Sequence, residues 1–213
     1  MGDVAAVLLA AGQSTRMGQL KALLPWRGQT LLEHQVASLL EAGIAQVVVV
    51  LGHEAERLKP LVEGVPGVRV AFNPRYREGK TTSIKSGVDA LPSDVEHLVL
   101  VGVDQPRSPE TYRAVVQAHL RAGALITKPY YKGVGGHPPV FSRQVLGEMA
   151  ALREETLGLK ELMRRRIEQV QKVELDTPEV LLDLNRPEDY QAAVGAVHQT
   201  SRPGLGGATT GPK

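Results

Sequence analysis

Residues 98–104 read LVLVGVD, and this run narrows the fold more than any other stretch of the chain. A strand with one wet face alternates apolar with polar residues. This one is apolar on both parities, so both of its faces must be covered, as at the centre of an α/β sheet. Apolar runs of strand length also occur at 4–9, at 46–51 (QVVVVL), at 68–72 and, near a sheet edge, at 170–175. Helical spacing fills the intervals. Thr30 caps a helix carrying Leu31, Leu32, Val36, Leu39 and Leu40 that Gly43 ends, and 54–62 reads as a second helix cut short by Pro66 and Gly67. A third runs over 83–91 to Pro92, and a fourth from Pro109 to about Ala122, closed by Gly123. A short strand at 125–127, helices at 142–150 and around Leu159 to Met163, and a last helix over 188–197 behind Pro187 complete the alternation. Alternating strands and short-linked helices predict a Rossmann-like, three-layer α/β domain: a mainly parallel central sheet with helices on both faces. It should occupy residues 1–198. Residues 199–213, rich in Gly, Thr and Pro from Ser201, have nothing to bury and are expected to be a disordered tail.

Bulk properties remove several function classes. The chain of 213 residues has no cysteine, which excludes disulfides, thiol catalysis and thiolate metal sites and suits a reducing cytoplasm. A formal charge of +2 is too small to argue for nucleic acid or an anionic membrane as the main partner. No apolar run reaches transmembrane length, and the start MGDVAAVLLAAG lacks a cationic leader segment, so a soluble, cytoplasmic protein is expected.

The first strand runs into LLAAGQSTRMGQLKALLPWRG, residues 8–28, a loop bearing Arg16 and Lys21 and no acidic residue. Gly12 and Gly18 let the backbone turn tightly and present N–H groups to an anion, and the cations add charge, so the loop reads as a polyphosphate cradle. Taken alone, Arg16 and Lys21 are equally two solvated surface cations; the glycines and the buried strand before them favour the cradle. The spacing fits neither G-x-G-x-x-G nor a P-loop: Gly12 to Gly18 is too wide for the first, and Lys21 follows Gly18 by three and precedes Ala22, with no hydroxyl placed for magnesium. That mismatch also argues against a nicotinamide-dependent oxidoreductase.

Ligands bind such sheets outside the carboxyl ends of the strands. The opening loop, the polar segment NPRYREGKTTS after Phe72, and Asp104 all stand there. Asp104 is either a turn acid before Gln105 and Pro106 or a magnesium ligand closing a doubly buried strand. Asn185, in DLNRPEDY, either caps the last helix or reaches a metal, with Asp189 or Glu188 the better caps. His137, between two glycines and two prolines, is packed or reaches a substrate. Trp26 reads as a half-buried packing residue, His53 as a helix-start residue, and Arg164 to Arg166 as a solvated face or an anion site.

Taken together, LAAGQSTRMG with KALLPWRG, then NPRYREGKTTSIKSG, VGVDQP, GGHPPVF and NRPEDY resemble the MobA-like nucleotidyltransferases, most closely the molybdenum cofactor cytidylyltransferase type, over roughly residues 3–192. The resemblance implies the nucleotide-diphospho-sugar transferase type of fold and transfer of CMP from CTP to the phosphate of molybdenum-bound molybdopterin, with release of pyrophosphate. It implies that Ala10, Ala11 and Gly12 border the nucleotide, that Arg16 and Lys21 hold the triphosphate, and that Asn73, Gly79 and Ser83 shape the nucleotide-side pocket. It implies Mg2+ on Asp104 and Asn185, His137 near the pterin-bearing substrate, and a receiving molybdoenzyme or its chaperone as partner. In the family an LAAG start accompanies cytidine transfer and LAGG guanosine transfer; this chain carries Ala11. It departs from the family at Leu157, Gly158 and Leu159, where relatives carry Gly-Asp, and at Asp183 to Pro187, where they often read D-I-D-T-P. The alternatives are GTP as donor, a sugar or isoprenoid-precursor phosphate as acceptor, and an idle cofactor-carrying module.

Overall fold

The computed structural model describes residues 3–156 and 158–200. In chain order its strands are β1 (Val4–Ala10), β2 (Pro25–Trp26), β3 (Gln29–Thr30), β4 (Gln46–Leu51), β5 (Val68–Phe72), β6 (His97–Gly102), β7 (Ile126–Tyr131), β8 (Val134–Gly135), β9 (Val140–Ser142) and β10 (Val170–Glu174). The α-helices are α1 (Leu31–Glu41), α2 (Ala55–Leu58), α3 (Lys80–Asp89), α4 (Pro109–Ala122), α5 (Arg143–Ala150), α6 (Leu159–Arg165) and α7 (Pro187–Thr200). The main sheet runs β10-β7-β9-β6-β1-β4-β5, with β8 paired to β7. All of its neighbours along that path are parallel except β9, which lies antiparallel between β6 and β7.

Residue parity divides the core in two. Val4, Ala6, Leu8 and Ala10 of β1, with Val47, Val49 and Leu51 of β4 and Val99 and Val101 of β6, pack against α1, α2, α4 and α7. The alternate residues, Val7, Leu9, Val48, Val50, Leu98 and Leu100, pack against α3, α5 and α6. Every residue of β1 is buried, which is why these strands carry no polar parity: either face, if wet, would expose about 2 kcal/mol of apolar side chain per position. The Rossmann-like three-layer fold is therefore the expected one.

Local signals explain most boundaries. Thr30 and Glu33 form a reciprocal capping box at the start of α1, and Ser108 with Pro109 opens α4, which ends in a left-handed Gly123. The helix read over 54–62 is α-helical only over Ala55–Leu58, with a 3-10 turn over Lys59–Leu61 behind it, and other boundaries differ from the sequence reading as well. Helix α3 starts at Lys80 rather than Ser83, because the Glu154 carboxylate accepts the Thr81 N–H at 2.9 Å and satisfies the first turn from a distant segment. Strand β7 continues to Tyr131, held by β10 on one edge and by β8 and β9 on the other. Residues 25–30 form a small hairpin, and Trp26 within it is buried at 5% exposure rather than half-buried, tilted against the His34 ring. Ser142 stands at the N-cap of α5, but its hydroxyl makes no capping bond. Among the described residues no helix is long and apolar enough to cross a membrane. Of the expected tail over 199–213, residues 199–200 continue helix α7, while those from 201 onward, like Leu157, lie outside the described residues.

Candidate active site

Strand order reverses at β1: β4 and β5 lie to one side and β6 to the other. The segments leaving the carboxyl ends of β1 and β6 bound a crevice, where ligands of open α/β sheets bind. It is a cavity of about 410 Å³, walled by the loop after β1 (Ala10, Ala11, Gly12, Ser14, Thr15, Arg16 and Lys21), by Tyr76, Gly79, Lys80 and Ser83, and by Gly102, Asp104, Asp183 and Asn185.

The loop after β1 is built differently from the glycine-based expectation. Gly18 does adopt a left-handed conformation at φ 67°, but Gly12 does not; the second left-handed residue is Ser14 at φ 54°. The Ser14 hydroxyl accepts the backbone N–H of Lys21 at 3.1 Å, closing the loop across the Arg16 turn. This aims Lys21, only 8% exposed, into the crevice. Its ammonium donates to Asp104 Oδ2 at 2.7 Å and to Asn185 Oδ1 at 3.0 Å. Arg16 is exposed on the same wall.

Asp104 is held from beneath. Gln35 of α1, fully buried, donates to the carbonyls of Gly102 at 3.0 Å and Gln105 at 2.8 Å, and accepts the Tyr112 hydroxyl at 2.6 Å. A side chain at position 102 would collide with Asp104 Oδ1, so Gly102 is what lets the carboxylate lie back over the strand end. The Leu184 N–H donates to the Asp104 carbonyl at 2.8 Å, which brings Asn185 alongside. Arg107, also fully buried, donates to the carbonyls of Pro106, His137, Val180 and Leu182 at 2.8–3.1 Å, tying together the three segments around the site.

Asp104 and Asn185 thus present hard oxygen atoms to one shared cation, the Lys21 ammonium. Among the described residues no three His, Cys, Asp or Glu side chains converge to hold a metal. Two protein oxygens beside a cavity lined by cations suit a magnesium-like ion, which keeps waters and shares substrate phosphates rather than entering an all-protein cage. The residues fit such an ion.

Two of the expected residues stand behind the lining. Asn73 is 1% exposed; its amide donates to Thr82 Oγ1 and Ser83 Oγ, each at 2.9 Å, so it braces the α3 wall. His137 is pinned through its backbone, donating to Val180 O at 2.8 Å and accepting from Arg107. Burial, then the charges of Lys80, Arg107 and Lys128, lower its imidazole to about 4, so it is neutral at pH 7. Asp183 and Lys80, by contrast, line the cavity without having been singled out. Burial and the adjacent Asp104 raise the Asp183 carboxyl. Both lie inside motifs that were read, Lys80 in EGKTTS and Asp183 in DLN, yet neither has a spacing of its own to mark it. Arg164, Arg165 and Arg166 pair with Glu161 and Glu148 away from the crevice lining.

The profile of the MobA-like NTP transferase domain matches residues 6–172. The chain is 27% identical over 193 residues to the molybdenum cofactor cytidylyltransferase of Escherichia coli, spanning 91% of this chain and 96% of that one. It is 31% identical over 179 residues to nicotine blue oxidoreductase of Paenarthrobacter nicotinovorans, spanning 78% and 86%. The crystal structure of Rv0371c from Mycobacterium tuberculosis superposes with a TM-score of 0.79 at 29% identity, over 91% of this chain and 98% of that one. A manganese complex of Rv0371C aligns over 91% and 99% with a TM-score of 0.74 at 26% identity. With sheet order, crevice and sequence in agreement, the chain belongs to the MobA-like NTP transferase family and is a nucleotidyltransferase.

Proposed function

We propose that this enzyme transfers CMP from CTP to the phosphate of molybdenum-bound molybdopterin and releases pyrophosphate. One observation carries the reading: Lys21, Asp104 and Asn185 meet at the wall of a cavity whose other sides are the loop after β1 and the start of α3. The near full-length relative named a molybdenum cofactor cytidylyltransferase supports the base and the acceptor.

The nucleophile needs little help. A phosphate monoester has a second pKa of about 6, so its oxygen is already ionised at neutral pH, and no Ser, Cys or His nucleophile is required. That oxygen forms a bond to the α-phosphorus as the bond to the β-phosphate bridging oxygen breaks. The protein must hold two polyanions in line. Arg16, Lys21 and the loop amides bind the triphosphate and take up charge growing on the leaving pyrophosphate. Residues 10–12 border the nucleotide, while Gly79 and Ser83, braced by Asn73, shape the opposite wall. Asp104 and Asn185 would hold Mg2+, which when bound would neutralise pyrophosphate charge as a Lewis acid. His137, neutral, offers a hydrogen bond rather than a charge on the pterin side. Ala11, 3% exposed, puts a methyl beside the cavity where glycine would leave room, supporting a pyrimidine. The product would pass to a molybdoenzyme or its chaperone in the cytoplasm.

The test is pyrophosphate release with magnesium and molybdenum-loaded molybdopterin, offering CTP, GTP and ATP in separate reactions. CTP is expected to lead; preference for GTP would overturn the Ala11 argument, and turnover only with sugar or isoprenoid-precursor phosphates would replace the acceptor. Tight pterin binding without pyrophosphate release from any nucleotide would point to a carrier. The relative named nicotine blue oxidoreductase gives a second reading, an oxidoreduction. Consumption of a reduced nicotinamide cofactor by the purified protein, with no pyrophosphate release, would favour it.

A further inference from the structure

We propose that Lys21 is a resident cation of the metal position: its ammonium keeps free divalent metal off Asp104 and Asn185 and leaves only when a triphosphate draws it away. Metal and nucleotide would then enter together, and metal would not bind first. This rests on the reading of Asp104 and Asn185 as metal ligands.

The geometry makes the two cations alternatives. The ammonium lies 2.7 Å from Asp104 Oδ2 and 3.0 Å from Asn185 Oδ1, between the oxygens a metal would use. A magnesium ion sits ~2.0–2.1 Å from its oxygens, so an ion on both would stand within contact distance of the ammonium. Two positive charges that close, with Lys21 at 8% exposure, repel with little screening. The backbone of Lys21 cannot retreat, since its N–H is held by Ser14 Oγ at 3.1 Å. Release must come from side-chain rotation toward a stronger partner.

A triphosphate supplies one. Its oxygens, held between Arg16 and Lys21 on the same wall, offer the ammonium more negative charge than Asp104 does, and the freed carboxylate then accepts the metal. In the empty site the Lys21 ammonium pairs with Asp104. A metal entering alone would set a second cation beside that ammonium, whereas a metal entering with a triphosphate brings the negative charge that both cations need. Linkage makes the effect reciprocal: nucleotide raises metal affinity by the factor by which metal raises nucleotide affinity.

The experiment titrates Mn2+ into the whole chain and reads free Mn2+ by electron paramagnetic resonance, with and without CTP, each against the same CTP without protein, since the triphosphate itself chelates the metal. Wild type should bind Mn2+ alone weakly, and CTP should tighten binding by about tenfold or more. Lys21→Met and Lys21→Gln should bind Mn2+ alone about tenfold tighter than wild type and respond less to CTP, while Lys21→Arg should exclude it as wild type does. Circular dichroism confirms which variants are folded, and the wild-type response to CTP stands without them. Equal Mn2+ affinity in wild type and both neutral variants, or tight Mn2+ binding by wild type alone, overturns the proposal. An Asp104→Asn variant separates the two ideas: if it binds Mn2+ with CTP as well as wild type does, the metal reading itself falls.

Discussion

Strand β6 begins in one polar cluster and ends at another, and the two are satisfied in opposite ways. At its start, His97 Nδ1 meets His119 Nε2 at 3.1 Å, and His119 Nδ1 meets Thr127 Oγ1 at 2.8 Å, a chain linking β6, α4 and β7. His119 is fully buried, and burial, then its neighbour His97, lowers its pKa to about 4. His119 is therefore neutral at pH 7, and the chain of contacts runs on from His97 to the Asp3 carboxylate at 3.9 Å. Past the other end of β6, the charged Lys21, Asp104, Arg16, Lys80 and Asp183 gather with the amide of Asn185 around an open cavity, only partly neutralised by one another. Polar groups that satisfy each other inside the protein hold it together; charges that face a cavity with capacity to spare are available to a ligand.

The largest effect that would break this contrast is at Asp104. Asp104→Ala should lower turnover by about a thousandfold or more, about 4 kcal/mol of barrier, with a nearly unchanged thermal midpoint. Pyrophosphate release and a melting curve measure the two; turnover within about tenfold of wild type, about 1.4 kcal/mol, would remove Asp104 from the chemistry.

Arg107 is the intermediate case, a buried cation supporting the functional rim. Arg107→Met leaves the carbonyls of Pro106, His137 and Leu182 without the Arg107 donor, while that of Val180 keeps the His137 N–H. At about 1–3 kcal/mol for each buried group left unpaired, less what relaxation and water recover, the net loss should be about 3–5 kcal/mol. Urea unfolding measures it, and a loss below about 1 kcal/mol would show that these segments hold their places without Arg107.

The histidine cluster should reveal itself through pH. His119 titrates near 6.5 when unfolded and near 4 when folded, so between those values the unfolded chain binds more protons. Its contribution is complete above about pH 6.5, declines as the pH falls toward 4 and is flat below; the gap corresponds to about 3 kcal/mol. His34 and His137, also held at about 4, act in the same direction. Unfolding free energies at pH 7, 5.5 and 4 check the slope, and His119→Gln should flatten it; an unchanged slope in that variant would assign the pH dependence elsewhere.

The smallest effect serves as a control remote from both clusters. Thr30→Ala removes the α1 capping box, and it should cost about 1 kcal/mol and lower the melting midpoint by about 2–4 °C without altering turnover.

Much of this was legible before any coordinates. Strands 46–51 and 68–72 and helix 109–122 have the bounds their patterns predict, because their signals are local: a β-branched run, a proline at the first helical turn, a glycine behind the last. The functional rim was legible as three segments at strand ends, and all three meet at the cavity. What could not be read depends on contacts between remote segments. The early start of α3 comes from Glu154, the left-handed turn at Ser14 from its bond to Lys21, and the bracing role of Asn73 from two hydroxyls on a following helix. Arg107 drew no reading from the sequence, and only the 178–182 segment folding over it makes it a buried strut.

Alone, the sequence determined the layering, the element types and the chemical kinds of side chain available at the rim, since parity, caps and residue chemistry act over a few positions. Only the tertiary structure decided which of those side chains meet. Lys21 and Asp104 are 83 positions apart, and Lys21 and Asn185 are 164 apart. Their common point is set by strand order, by the Leu184 bond to the Asp104 carbonyl, and by the loop that aims one lysine at both oxygens.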